Sequence, residues 1–405
     1  MTDTVDRERT SPPTRSVAPH PRSDAAPAGS RGAELSVVAP AVAVAAAELE
    51  GVAEHLGLVD QLLAETCADL DHLWTSQLAE RAPVDILETD DLPTLLSSLI
   101  TQGGKRFRPV LTFLGWLAAN GRAREVGHVD VVRVSAALEL LHVFALIHDD
   151  VMDESDSRRG RPTAHVLAAG RHRSADGHGD ADRFGESVAI LLGDLAHAEA
   201  DHLAAELPPE MRKLWRVLVV ELVCGQRRDL TGGAAGRRDL WHARQVARMK
   251  SGAYTVERPL ELGAAAAQAA DVVVASLRQY GREVGEAFAL RDDLLGVCGD
   301  PTMTGKPAGD DLLSGKPTVV LALAEKRLRG GARDVLARAG SPELTADDVA
   351  LLQQAFADFG VIRAVEQRIT RHVERATTAI QGRTLDPVGV EQLTRMAHQI
   401  AWRDK

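Results

Sequence analysis

The chain has few aromatic residues and few cysteines, and both shortages limit what it can be. Aromatic residues make up 3% of the 405 residues, whereas hydrophobic residues make up 45%. Because β-sheets depend on aromatic and β-branched side chains, this composition favours helices. The three cysteines, Cys67, Cys224 and Cys298, stand far apart and include no CxxC pair. They predict neither a disulfide framework nor a zinc site, and we expect a reducing, cytoplasmic location.

The chain also has fewer basic than acidic residues, and its apolar runs are short. The formal net charge is −11, whereas a general nucleic-acid binder needs a basic surface, so we expect no nucleic-acid partner. No uninterrupted apolar run reaches the ~18 residues of a membrane span. The first residues are polar and charged, without the apolar core of a signal peptide. We therefore expect neither a transmembrane segment nor a secretory signal.

Hydrophobic periodicity divides the chain into a tail and one helical domain. Residues 1–40 are rich in Pro, Ser, Arg and Ala without an apolar period, which predicts a disordered tail. Residues 41–405 predict a single all-α catalytic domain of about a dozen helices, with a polar loop over 170–185. The clearest predicted helices are 59–77, 92–99, 138–153, 187–207, 211–230, 241–262, 272–297, 318–329, 345–382 and 387–403.

The helix over 138–153 ends in a group of carboxylates. Asp149 and Asp153 are four residues apart and therefore share one helix face, where they repel each other and oppose the helix dipole. A hard divalent cation such as Mg²⁺ would relieve that repulsion. Most acidic helix ends are merely solvated. The arginine-rich segment 154–162 that follows instead indicates a metal that bridges to a diphosphate, because arginines suit phosphate.

Further motifs lie on both sides of this helix. The segment 103–109, GGKRFRP, places three cations beside two glycines and predicts a phosphate-binding loop, although basic loops are common. A second acidic pair, Asp292 and Asp293, ends the helix over 272–297. Two acidic pairs together with these cations indicate a ligand with a diphosphate head.

A line of small residues leads along the second acidic helix to Asp293. Gly281, Gly285 and Ala289 follow one another at intervals of four. They allow two interpretations: close helix–helix packing, or an open wall for the apolar tail of a substrate. The sequence leaves both open.

These motifs together resemble the trans-isoprenyl diphosphate synthases (polyprenyl synthetases), and the form DDLLGVCGDP resembles the actinobacterial enzymes, in particular geranylgeranyl diphosphate synthases. The resemblance covers roughly residues 60–400 and keeps the family's order and spacing. It implies the isoprenoid synthase fold, an all-α bundle around a deep central cavity, usually as a homodimer that binds about three Mg²⁺. The matching segments are GGKRFRP, HDDVMDESDSRRGRPT, KSGAYT, RDDLLGVCGD and GKPAGDDLLSGKPT.

The resemblance also implies roles for individual residues, and it implies that isopentenyl diphosphate is joined to an allylic diphosphate (dimethylallyl, geranyl or farnesyl). The implied catalytic acids are Asp149, Asp150, Asp153, Asp292 and Asp293, of which Asp149, Asp153, Asp292 and Asp293 would hold Mg²⁺. The implied isopentenyl diphosphate site consists of Lys105, Arg108, His142 and Arg159. The implied allylic diphosphate site consists of Arg158, Lys250, Ser251, Lys306 and Lys316.

The chain departs from the family pattern at two positions, and its product length is a separate question. Gly296 stands where many members have a third Asp, and Ala289 stands where the family has Gln. Phe144 and Ala145, just before the first acidic motif, resemble the pattern of geranylgeranyl (C20) synthases. On an ideal helix, however, Phe144 lies about 140° from Asp149, so the expected C20 product rests on resemblance.

Other functions remain open beside this prediction. The enzyme could be a farnesyl or longer-chain polyprenyl diphosphate synthase. It could also be a non-catalytic subunit that modulates such a synthase, an interpretation that depends on Gly296 and Ala289. A terpene cyclase would use an acidic helix and Mg²⁺ too, but it takes one substrate and has no need for a second phosphate site.

Overall fold

The computed structural model describes residues 49–77, 86–87, 91–299, 309–382 and 384–403, and within them nearly every element is a helix. The prediction of an all-α fold is confirmed, whereas the predicted tail over 1–40 lies outside the described residues. The first helices are α1 (Val52–Gln77), α2 (Leu92–Thr101), α3 (Phe107–Ala118), α4 (Gly121–Arg124), α5 (His128–Met152), α6 (Ala164–Ser174), α7 (Ala181–Ala205), α8 (Pro209–Ala234) and α9 (Leu240–Val246).

A π-helix and a second group of helices follow, and one short hairpin interrupts the helical pattern. The later helices are π1 (Ala247–Glu257), α10 (Arg258–Ala266), α11 (Asp271–Cys298), α12 (Asp310–Leu313), α13 (Val319–Arg327), α14 (Gly331–Leu336), α15 (Ala346–Asp358), α16 (Val361–Ala379) and α17 (Pro387–Ala401). The hairpin pairs β1 (Ser157–Arg158) with β2 (Arg161–Pro162) in antiparallel fashion.

Helix α5 forms the centre of the bundle. Its residues are apolar around most of its circumference, and Leu138, Leu140 and Leu141 are completely buried. Such a helix has to be covered on all sides, and it packs against α7, α3, α1 and α10. It is long and apolar enough to cross a membrane by length and composition alone, but its burial within the protein accounts for that character.

Three predicted segments differ from the structure for local reasons. The segment 241–262 forms three successive pieces, α9, π1 and α10. The segment 345–382 is broken at Gly360, which adopts a left-handed φ of +67° and separates α15 from α16. The segment 170–185 was predicted to be a loop, but α6 and α7 extend into it from both sides and leave only the residues between Ser174 and Ala181 outside helices.

Glycines set the distance between π1 and α11. A Cβ on Gly285 would lie 2.9 Å from the carbonyl oxygen of Gly252, and a Cβ on Gly281 would lie 2.8 Å from the Cα of Glu257. The two backbones therefore touch where these glycines stand. Of the two interpretations of the small-residue line, close helix packing is correct for Gly281 and Gly285.

This packing yields a prediction with a matched control. We expect Gly285→Ala to lower the free energy of unfolding by about 1–3 kcal/mol, because the new methyl group overpacks a contact between two backbones. Gly233, in α8, has nothing within 4 Å of its Cβ position. Gly233→Ala should be neutral or stabilise the protein by up to about 1 kcal/mol. Urea unfolding of both variants measures the difference; equal effects would contradict the packing.

Candidate functional site

The first acidic motif lies at the end of α5 and is surrounded by polar partners. The Oδ1 atom of Asp149 accepts hydrogen bonds from Nζ of Lys250 at 2.8 Å and from Nε2 of Gln226 at 3.0 Å. Oδ2 of Asp153 accepts one from Nζ of Lys316 at 2.7 Å. Each acid therefore faces its own lysine, supplied by a segment distant in sequence.

Lys250 bridges two carboxylates. Its Nζ also donates to Oδ2 of Asp229 on α8 at 2.6 Å. A Cβ on Gly225 would lie 2.4 Å from the backbone nitrogen of Lys250, so this glycine allows π1 to approach α8. Burial alone would raise the pKa of Asp149, but the positive charges of Lys250 and Lys316 outweigh it and lower that pKa to about 2. Asp149 is therefore ionised at neutral pH.

The hairpin after α5 directs Arg158 to a carboxylate at the end of that helix. Arg158 pairs with Arg161 across the strands, and the turn consists of Arg159 and Gly160, with φ of +53° and +72°. Positive φ at both turn positions is typical of a type I′ hairpin turn. Arg158 donates to both carboxylate oxygens of the buried Asp150 at 2.7–2.9 Å. Asp150 thus positions Arg158.

The second acidic motif ends α11 with two carboxylates in different surroundings. Asp292 has 62% of its side chain exposed and accepts from Nη2 of the buried Arg403 at 3.2 Å. Asp293 accepts a hydrogen bond from the backbone N–H of Val319, which begins α13, at 2.9 Å. Burial raises the pKa of Asp293 well above its ordinary value, and the neighbouring charges of Asp311 and Asp292 raise it further.

Gly296 leaves room for another carboxylate. A Cβ at position 296 would lie 2.2 Å from Oδ2 of Asp311, so any larger residue there would displace that carboxylate. Burial alone would lower the pKa of Lys316. The negative charges of Asp311, Asp153 and Asp149 outweigh this effect and raise the pKa above its ordinary value. Lys316 therefore lies in the field of the first acidic motif and of Asp311, and it remains protonated.

A cationic cluster forms around Tyr254 of π1. The guanidinium of Arg108 lies 4.0 Å from the centroid of the Tyr254 ring, and its Nη2 donates to Oγ1 of Thr255 at 3.0 Å. Nδ1 of His142 lies 2.8 Å from the hydroxyl of Tyr254. Arg108 is 7% exposed, yet its Nε has no hydrogen-bond partner among the described residues. A buried N–H without an acceptor destabilises the fold, so this group favours a bound ligand that accepts a hydrogen bond from it.

The 103–106 loop closes this cluster. Arg159 donates to the carbonyl oxygen of Gly103, and Nζ of Lys105 lies 5.9 Å from the centroid of the Phe107 ring. Burial lowers the pKa of His142 well below its ordinary value, and the nearby guanidiniums, those of Arg108 and Arg159 foremost, lower it further. His142 is therefore neutral at pH 7. Of the four residues predicted to bind isopentenyl diphosphate, three come from separate segments and lie near one another: Arg108, His142 and Arg159. Lys105 precedes Arg108 in the 103–109 segment.

Phe144 and Ala145 are both half-buried on α5. The Phe144 ring stacks on His197 of α7, with centroids 4.6 Å apart, and meets His148 edge-on at 4.7 Å. Phe144 thus fills part of the interface between α5 and α7, which agrees with its position away from Asp149 on the helix.

The remaining predicted residues are Ser251 and Lys306. Ser251 is half-buried on π1 directly after Lys250, whereas Lys306 lies outside the described residues. The sequence analysis did not identify several side chains that complete the site: Gln226, Asp229, Tyr254, Asp311 and Arg403. Tyr254 and Asp311 belong to the segments KSGAYT and GKPAGDDLLSGKPT, so their place in these motifs could have identified them. No sequence motif indicates Arg403, because only the tertiary fold brings it to Asp292.

Comparisons with known proteins find relatives over most of the chain. The family model described as Polyprenyl synthetase matches residues 90–357. Geranylgeranyl diphosphate synthase of Mycobacterium tuberculosis is 34% identical over 307 residues, covering 73% of this chain and 81% of that protein. Geranylfarnesyl diphosphate synthase of Aeropyrum pernix is 33% identical over 292 residues, covering 69% and 83%.

A solved structure is similar along nearly its whole length. It is geranylgeranyl pyrophosphate synthase from Corynebacterium glutamicum, complexed with isoprenyl diphosphate and magnesium. It is 34% identical with a TM-score of 0.78, and the match covers 87% of this chain and 99% of that one. The resemblance inferred from the motifs is confirmed. The chain belongs to the polyprenyl synthetase family, and it is a transferase that makes isoprenyl diphosphates.

Proposed function

We propose that this enzyme condenses isopentenyl diphosphate with an allylic diphosphate and releases mainly geranylgeranyl diphosphate (C20). The observation that carries the two-substrate reaction is Arg108, a buried guanidinium with an unpaired Nε beside His142. This cluster forms a phosphate site in addition to the one formed by Lys250 and Lys316. A terpene cyclase, which takes a single diphosphate, has no use for two such sites.

The donor set suits Mg²⁺. Within the described ranges no three acidic, histidine or cysteine side chains form a ready metal cage. Mg²⁺ is usually held by one or two carboxylates together with substrate phosphates, so an open arrangement of acids fits it. In our proposal Asp149 and Asp153 would hold Mg²⁺ at the first motif and Asp292 and Asp293 at the second, for a total of about three ions.

Asp311 supports metal binding at the second motif. Its carboxylate occupies the space that a side chain at Gly296 would fill. The family resemblance implies a third Asp at that position in many members. We therefore assign to Asp311 the role of that acid. Burial raises the pKa of Asp293, and the charge of Asp311 raises it further, so a cation that joins these carboxylates stabilises them.

The reaction then divides between the two phosphate sites. The allylic diphosphate binds to five side chains, those of Arg158, Lys250, Ser251, Lys306 and Lys316. Its C–O bond breaks with the electron pair passing to the diphosphate, and bound Mg²⁺ supplies charge stabilisation for that leaving group.

At the second site, Arg108, Lys105, Arg159 and neutral His142 hold isopentenyl diphosphate. Its alkene attacks the allylic cation to form the new C–C bond, and a proton passes from carbon to the released diphosphate. Fixed cations on both diphosphates keep the reacting carbons close together.

Product length, assembly and location are parts of the same proposal. The C20 product is supported by the Mycobacterium and Corynebacterium relatives, while the Aeropyrum relative makes a geranylfarnesyl product. Farnesyl or longer products, or a modulating subunit role, are the alternatives.

A homodimer is supported by apolar side chains that α7 and α8 expose, and a cytoplasmic location by three cysteines without disulfides. The exposed side chains are Ile190, Leu191, Val217, Val220 and Val223.

The direct test is turnover by the purified protein. We expect incubation with Mg²⁺, isopentenyl diphosphate and each allylic starter to yield mainly C20 diphosphate, read by chromatography of the dephosphorylated alcohols. Asp149→Ala should lower turnover by several orders of magnitude, about 10²–10⁴-fold, because it removes a metal ligand. Wild-type protein without turnover on any starter would favour the subunit role, and near-normal turnover of Asp149→Ala would refute the metal assignment.

A second prediction separates the two phosphate sites. Arg108→Ala should raise KM for isopentenyl diphosphate about 10- to 150-fold, since it removes a charge-assisted contact, and should leave KM for the allylic substrate nearly unchanged. The control is Arg133→Ala, which removes a partly buried arginine near the start of α5, 3.9 Å from Asp130. It should change neither KM. An effect of Arg108→Ala confined to the allylic substrate would mean that the two sites are exchanged.

A third prediction concerns chain length. Phe144→Ala should shift the products to C25 and longer, because removal of the ring leaves space for the growing prenyl tail. Each additional methylene of the tail buried there contributes about 0.8 kcal/mol to its binding. Phe184 provides a matched control, since it is also half-buried and packs on a histidine, His172, at 4.9 Å. Phe184→Ala should lower stability and leave the product distribution unchanged. If Phe144→Ala also leaves it unchanged, another side chain forms the end of the cavity.

A further inference from the structure

An arginine-rich groove lies between α16, α9 and π1, on the surface of α11. It consists of two adjoining cavities of about 200 and 150 Å³ that share Arg244 and Arg375 in their walls. None of the described residues that line it belongs to an acidic motif or to the cations of the two substrate sites. The groove therefore differs from the site described above.

The groove is strongly positive although the chain as a whole carries a net charge of −11. Its walls hold six arginines and three glutamates, with His372 between them. The arginines are Arg244, Arg248, Arg282, Arg368, Arg371 and Arg375. This is a local concentration of charge, not the broad basic face of a nucleic-acid binder.

Each glutamate already has a partner. Glu257 pairs with Arg282 at 3.0 Å, and Glu286 lies 3.6 Å from Arg244. The third, Glu283, pairs with His372 at 2.7 Å. The three wall acids therefore leave half of the charge of the six arginines uncompensated.

Four arginines have no carboxylate partner within the described part of the chain: Arg248, Arg368, Arg371 and Arg375. Three of them follow one another on α16 at i, i+3 and i+7 and so share a face. Burial lowers the pKa of Arg368, and the charges of Arg371, Arg327 and Arg244 lower it further. Guanidiniums that repel one another in this way are stabilised by an anion placed among them.

We propose that this groove is a further anion site, separate from the two substrate sites, that binds a diphosphate group. Both adjoining cavities are lined by arginines: Arg368 and Arg371 line one, Arg248 and Arg282 line the other, and Arg244 and Arg375 line both. Guanidinium groups bind phosphate oxygens in pairs, which gives geometry as well as charge.

The site goes beyond the proposed reaction, because it takes no part in the condensation. It does adjoin the reaction site: Gly252 and Ala253 of π1 form part of its wall, directly after Lys250 and Ser251. An anion in the groove thus lies on the other side of the segment that carries the allylic diphosphate cations.

Calorimetric titration tests the proposal without using catalysis. Inorganic diphosphate is titrated, with a chelator present and no divalent metal, into the full chain carrying Lys250→Met to weaken binding at the reaction site. We expect salt-sensitive binding that Arg371→Gln with Arg375→Gln weakens by about tenfold or more per arginine. Both arginines are exposed, so these substitutions should not unfold the protein, and thermal unfolding checks this.

The control is Arg363→Gln, which removes an exposed arginine of α16 that does not line the groove. It should bind as the parent does. ADP and isopentenyl diphosphate are titrated in parallel, because each carries the same group from a different source. Binding of any of the three that depends on the groove arginines supports the proposal and identifies the source; affinities unchanged by the double substitution for all three would overturn it. Loss of turnover in the wild type would not affect this result.

Discussion

Repulsion between carboxylates is the constraint on which the reaction site depends. Acids from α5, α8, α11 and α12 converge, and in a partly buried setting they destabilise one another. Lys250 and Lys316 provide the counter-charge: Lys250 joins Asp149 to Asp229, and Lys316 joins Asp153 to the field of Asp311. In the proposed reaction the same lysines bind the allylic diphosphate, and Mg²⁺ replaces them as the partner of the acids.

Close packing of π1 makes this arrangement possible. Gly225 brings π1 against α8, and the contact between Gly252 and Gly285 brings it against α11. A side chain at any of these positions would move Lys250 away from its acids. The π-helical winding of this segment is of a kind that often marks functional sites, since it alters which residues face each side. Here one side carries Lys250 and Tyr254, and Gly252 and Ala253 line the arginine groove.

Local patterns accounted for much of the fold. Apolar periodicity predicted most helices, because burial of one helix face is visible over a dozen residues. It failed where one residue or one turn decided the outcome: Gly360 ends a helix with positive φ, and π1 interrupts a segment predicted to be one helix. The hairpin around Arg159 and Gly160 is only two residues long on each side, too short for strand alternation to show.

The sequence by itself determined the fold class, the family and the residue types of the two proposed phosphate sites, because these depend on short motifs and on composition. Only the tertiary structure decided which residues meet. Gly296 indicated a missing acid in the sequence, whereas in the fold it makes room for Asp311. Asp150 looked like its neighbours, yet both its oxygens are occupied by Arg158. Contacts between residues far apart in the chain follow from how helices pack, and no local pattern encodes that packing.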